Sequence, residues 1–145
     1  MARAELDAAA RVVLEMQEGA APTEGGELGA PPTAGAAPTF LVSALADALS
    51  VPLQRIQIIK GWVDDAGLFH QQVHDVAGDA ENGADVDLGT CTPRGPGATS
   101  LCAVWSDPDF DASTSAVYYA RVVENPSCRW SARLCLSLPE AERPD

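Results

Sequence analysis

His70 and His74 stand in an H-x3-H spacing. On a helix this spacing would set both imidazoles on one face, within reach of one metal ion. The surrounding run LFHQQVHDV instead reads as an extended segment. On a strand the two rings share a face but stand about 13 Å apart at ~3.3 Å per residue, too far for one ion. Both are expected to face solvent or to find hydrogen-bond partners.

Asp107, Asp109 and Asp111 spell D-x-D-x-D, the opening of a calcium-binding EF-hand loop. Such a loop needs glycine at its sixth position and glutamate at its twelfth, where this chain has Ala112 and Tyr118. Pro108 fits a rigid turn, so a structural turn is expected, with an unusual calcium site as the alternative. Nucleophilic chemistry has little support: there is no G-x-S-x-G elbow, and Ser127 beside Cys128 has no histidine near it in sequence. No glycine-rich loop follows a strand in the manner of a phosphate cradle.

The four cysteines, Cys91, Cys102, Cys128 and Cys135, lie in the C-terminal half of the chain. Their spacings match no zinc pattern built from paired C-x2-C elements. Of the three possible connectivities, two local bridges, Cys91–Cys102 and Cys128–Cys135, are the preferred expectation. Buried free thiols or a metal site are the alternatives. Disulfides imply an oxidising compartment, yet the first residues, Met1 to Glu18, show no apolar export segment. A chain lacking its natural N-terminus would reconcile the two.

Nine basic side chains against 21 acidic ones leave a net charge of −12. Lys60 is the single lysine and there is no basic run. Phosphate backbones are bound by clustered Lys and Arg, so a nucleic-acid partner is not expected. No apolar stretch approaches the roughly 20 residues that span a bilayer.

These residues must be held by elements that hydropathy outlines. Residues 1–18 show thin helical periodicity, with Leu6, Ala9, Ala10 and Val13 on one stripe and Gly19 as a stop. Residues 19–38 are a Gly/Pro/Ala-rich flexible linker. Residues 39–145 read as β-rich. Strands are expected over 39–46, 99–107 and 116–124, with a hairpin over about 53–76 that turns at Asp64-Asp65-Ala66-Gly67 and a short strand near Val86. The fold class is mainly β: an antiparallel immunoglobulin-like sandwich, complete or short of a strand, preceded by an N-terminal helix and linker.

The runs LQRIQIIKGWVDDAG, HDVAG, AVWSDPDFD and YYARVVENPSCRWS, in this order, resemble the C-terminal part of DUF3604-family proteins. The upstream GGELGAPP and APTFLVSALAD are similar to the segment introducing that region, so the resemblance covers about residues 24–145. It implies a larger exported protein, periplasmic or secreted, with a PHP-like α/β barrel whose His and Asp/Glu side chains bind divalent metals for phosphoester hydrolysis. The H-x-H pair that opens the PHP signature does not occur in this chain. The chain is therefore expected to be a C-terminal fragment without catalytic residues, metal ligands or cofactor of its own, its partner being the missing barrel. Lys60, Trp62, Arg121, Glu124, Arg129 and Trp130 are the residues expected to border the barrel's active site. Arg129 is a candidate to stack on Trp62 or Trp130, and Arg121 to pair with Glu124 or an aspartate. The competing reading is a stand-alone secreted binding module using Trp62, Trp105 or Trp130. An independent enzyme built on His70, His74 and the aspartates is the least favoured.

Overall fold

The computed structural model describes the backbone of residues 10–16 together with residues 35–143. Six strands form two antiparallel three-stranded sheets. β1 (Ala10–Met16), β2 (Thr39–Ala46) and a later strand make one sheet; β3 (Leu53–Val63) and β4 (Phe69–Gly78) begin the other. A small ribbon, β5 (Asp85–Asp87) with β6 (Thr92–Arg94), precedes β7 (Ser100–Ser106) and β8 (Ala116–Glu124). The strand orders are β1-β2-β7 and β4-β3-β8. A helix, α1 (Trp130–Ser137), and a short 3-10 turn, Glu140–Glu142, follow.

Alternation decides which side chains meet between the layers. On β2, Phe40, Val42 and Ala44 are buried while Leu45 is exposed. They pack with Leu53, Ile56 and Ile58 into one core. Leu101, Ala103 and Trp105 of β7 and Tyr118, Ala120 and Val122 of β8 close it from the flanks. This is the period-2 signature of two sheets sharing their inner faces, a sandwich-like arrangement. β3 is central in its sheet and buried along most of its length, which its run of β-branched residues suits.

At the bulge between Ile56 and Gln57, Gly78 lies against the β3 backbone with φ +84°. A Cβ there would come within 2.2 Å of the Gln54 carbonyl oxygen, so only glycine closes this end of the hairpin.

The N-terminal expectation needs correction. Residues 10–16 are a strand and not part of a helix over 1–18, pairing in register from Ala10 opposite Ala46 to Met16 opposite Phe40. In ARVVLEM the sequence supports both periods, and the free edge of β2 settles the choice by supplying a hydrogen-bonding partner. The rest of the expected helix, and most of the linker, lie outside the described residues; residues 36–38 run into β2 without regular structure. The strands expected over 39–46, 53–76, 99–107 and 116–124 are present.

The cysteine pairing also differs. Cys91 bonds Cys128 with 5.5 Å between Cα atoms, while Cys102 and Cys135 are free. Cys102 sits on the solvent face of β7, in register with Ser43, and Cys135 lies on α1, so neither local bridge can close. Cys91 instead adopts positive φ after the β5 turn and reaches the segment that leaves β8.

The bridge spans 37 residues of sequence, for which loop-closure entropy predicts about 4 kcal/mol of stabilisation. Cys91→Ala should therefore lower the urea midpoint by an amount corresponding to several kcal/mol, and Cys102→Ser should leave it within about 0.5 kcal/mol. Equal midpoints for the two variants would contradict the Cys91–Cys128 pairing.

Candidate functional site

Lys60 occupies the same register as Ile56, Ile58 and Trp62, the inward side of β3. A lysine placed there carries its charge between the sheets, and that charge needs compensation. Asp107, immediately after β7 in the opposite sheet, supplies it. Lys60 Nζ donates to Asp107 Oδ2 at 2.6 Å, and the side chains are 8% and 0% exposed, so solvent screens the pair very little. A second ammonium proton goes to the Asp109 carbonyl at 2.8 Å. The ammonium also lies 5.4 Å from the Trp62 ring centre, a favourable cation–π contact.

Asp107 is satisfied on both oxygens. Tyr118 Oη of β8 donates to Oδ2 at 2.6 Å, and the Asp109 N–H donates to Oδ1 at 3.0 Å. Burial on its own would raise the Asp107 pKa, but the bonds from Lys60, Tyr118 and Asp109 together outweigh it and hold the carboxyl below its ordinary 3.8. Burial, with the neighbouring carboxylate, pushes the Tyr118 phenol well above its ordinary value.

Beyond the ion pair, a cleft of about 180 Å³ opens at this end of the sandwich. Trp62, Phe110, Tyr118 and Ala116 form its apolar walls, with Gln72 and Thr114 at its polar edge. The 107–115 loop that roofs it is built from aspartate turns. Asp111 Oδ1 accepts from the Ser113 N–H at 2.8 Å, and Gln72 Nε2 donates to Asp109 Oδ2 at 3.2 Å. The D-x-D-x-D run is thus the structural turn expected of it, its carboxylates aimed at local donors. Below the cleft, Phe40, Trp105 and Tyr118 pack ring to ring, with Phe40 to Tyr118 at 5.0 Å.

His70 meets the expectation of a hydrogen-bonded histidine, whereas the Nε2 of His74 neither faces solvent nor finds a partner. His70 hydrogen-bonds Asp64 at 2.7 Å and stacks on Trp62, with ring centres 5.3 Å apart. His74 tilts against Trp105 at 4.8 Å, and its buried Nε2 has no hydrogen-bond partner. Among the described residues there is no group of three or more His, Cys, Asp or Glu side chains placed to hold a metal ion. Among the described residues the best-buried carboxylate, Asp107, is already taken by Lys60 and Tyr118.

The six residues expected to border an active site do not gather. Lys60 and Trp62 stand at the cleft. Glu124 pairs in register with Leu53, at the far end of β8 from Ala116, which is opposite Trp62. That separation is about 26 Å of strand. Glu124 there accepts from Ser50 at 3.1 Å, and Trp130, on α1, is 77% exposed. Arg129 is exposed, stacking on neither Trp62 nor Trp130. Arg121 points out of the sandwich and donates to Gln57 Oε1 at 2.8 Å instead of pairing with a carboxylate.

The buried Lys60–Asp107–Tyr118 set is what motif reasoning missed. Its signal was the register, which places the single lysine in line with Ile56 and Ile58. No helix among the described residues is long and apolar enough to cross a membrane.

Fold and site together define a two-layer antiparallel β-domain whose best-placed polar side chains are bonded to one another. The family comparison agrees with the sequence motifs. The DUF3604 family, described as "Protein of unknown function (DUF3604)", matches residues 2–145. The chain belongs to this family, and the match extends beyond the residues 24–145 that carry the motifs. No curated protein and no solved structure matches the chain.

Asp107→Ala strands Lys60 in a buried position and should cost about 3–5 kcal/mol in chemical denaturation. The pH profile follows from the two shifts. Asp107, depressed in the fold, contributes stability above pH 3.8 that is lost as pH falls through its lower folded value. Tyr118, raised in the fold, contributes stability below pH 10 that is lost as pH rises towards its folded value. Melting temperatures across pH should fall at both ends, and Tyr118→Phe should flatten the alkaline fall while leaving the acid one.

Proposed function

We propose that this chain is the non-catalytic β-domain of a DUF3604-type metal-dependent hydrolase, packing against a PHP-like barrel and shaping the mouth of its active site. The observation that carries the reading is the neutralisation of Lys60 by Asp107, whose carboxylate also accepts from Tyr118. Here the lysine's charge is spent on joining the sheets and fixing the 107–115 loop. On this reading divalent metal and hydrolytic residues belong to the barrel, and Trp62 and Phe110 at the rim of the cleft face it. The Cys91–Cys128 bridge supports an exported, periplasmic or secreted protein, since such bonds persist in oxidising compartments.

One observation favours a second reading, a secreted ligand-binding module: the cleft beside Trp62 and Phe110 has the aromatic walls that small-molecule sites use.

The test combines two assays. Incubated with p-nitrophenyl phosphate and Mn²⁺ or Zn²⁺, the purified chain should show no turnover above the metal-only blank. Added to the barrel of a longer DUF3604 protein stripped of its β-domain, it should bind one to one and raise that barrel's phosphoesterase rate, with Trp62→Ala weakening the complex. Turnover by the isolated chain, or no binding to the barrel, would overturn the proposal.

A further inference from the structure

The two faces of the β4-β3-β8 sheet differ in what covers them. The described strands that pack on this sheet, β1, β2 and β7, lie on its inner face. The outer face carries Val63 from β3, with Ile59 and Gly61 buried beneath their neighbours, Phe69, Gln71 and Val73 from β4, and Val117 and Tyr119 from β8. Register makes them neighbours: Ile59 lies between Val73 and Tyr119, Gly61 is opposite Val117, and Val63 is opposite Phe69.

Phe69 is 66% exposed, Val117 64% and Val63 54%. Gly61 lets the first two lean together, since a Cβ there would sit 3.3 Å from each. The result is a continuous apolar patch on the order of 500 Å², counting large side chains at roughly 200 Å² each, more than scattered surface hydrophobics provide. With its polar border it approaches the ~800 Å² per partner of a stable interface.

The border is charged unevenly along the strands. At one end Arg55 and Arg121 lie on the outer face, Arg55 held by Asp75 at 3.3 Å and Arg121 by Gln57. At the other end is the β3–β4 turn, with Asp64 and the exposed Asp65. A two-fold axis in the plane of the patch and across the strands brings each basic end against the partner's acidic end. An axis along the strands would set like charges together.

We infer that this face is the interface of a homodimer, two copies stacked sheet to sheet with strand directions reversed. Phe69 and Val117 are its apolar centre, and Arg121 of each copy meets Asp65 of the other. The interface lies on the opposite face of β3 from Trp62, the residue assigned to barrel contact, so dimer and barrel binding are tested independently.

Light scattering and sedimentation of the full chain at up to about 100 µM should report twice the chain mass. Phe69→Lys and Val117→Lys should each yield monomers with unchanged circular dichroism and melting temperature, both side chains being mostly exposed. Arg121→Glu or Asp65→Lys should weaken dimerisation roughly tenfold, and the double exchange should recover it to within about threefold. A monomeric wild-type chain, as expected if the barrel or residues 17–34 cover this face, overturns the inference. So does a dimer that survives both lysine variants, or one that the double exchange fails to restore.

Discussion

Lys60 reaches from the central strand of one sheet to Asp107 at the end of a strand in the other, and Tyr118 joins them from a third. Ion pairs removed from water seldom add much net stability, because desolvation offsets their attraction. Their effect is on geometry. Slipping β3 by one residue against its neighbours would turn Lys60 to the outer face and leave the Asp107 carboxylate buried without its cation. The pair therefore selects the register that also buries Ile56 and Ile58, and it couples the spacing of the sheets to the path of the 107–115 loop. The shape of the cleft, with Trp62 on one wall and Phe110 on the other, follows from that anchor.

Much of this was legible from alternation. β2, β3, β4, β7 and β8 appear where β-branched and aromatic residues recur at a period of two between turn residues, and the Asp64–Gly67 turn is where the hairpin reverses. β1 was harder because Arg11 to Met16 satisfies helical and extended periods alike, and its choice depends on an unpaired edge far along the chain. α1 escaped for a related reason. Its residues bury nothing, so no apolar stripe marks it. The disulfide could not be read from spacing, since Cys102 and Cys135 are nearer in sequence to their expected partners but are held elsewhere by β7 and α1.

The candidate site was legible in its members and illegible in their relations. Lys60, Trp62 and Asp107 all stood out by type, yet their meeting depends on how two sheets stack, which no local window contains. Conversely, the family resemblance placed Arg121, Glu124, Arg129 and Trp130 in one set bordering an active site. Strand geometry disperses it, because β8 turns successive side chains to opposite faces and carries Glu124 far from the cleft. The polar residues between the sheets are spent on the domain's own architecture.

The sheet topology has a consequence for how the chain assembles. β3 and β4 are joined by a tight turn and can zip together locally, whereas Thr39 of β2 must find Ser106 of β7 across 67 residues. Closing so long a loop costs entropy before any contact repays it, so the hairpin is set to form early and the β2–β7 ladder late. During that interval the apolar side of β3 has no cover from the opposite sheet, and Cys91 and Cys128 can meet only once β8 has paired with β3 and set its trailing segment in place. Cys102, carried by the β2–β7 ladder, is meanwhile a competing thiol, so the route to the native bridge passes through a stage at which wrong pairings are open to it.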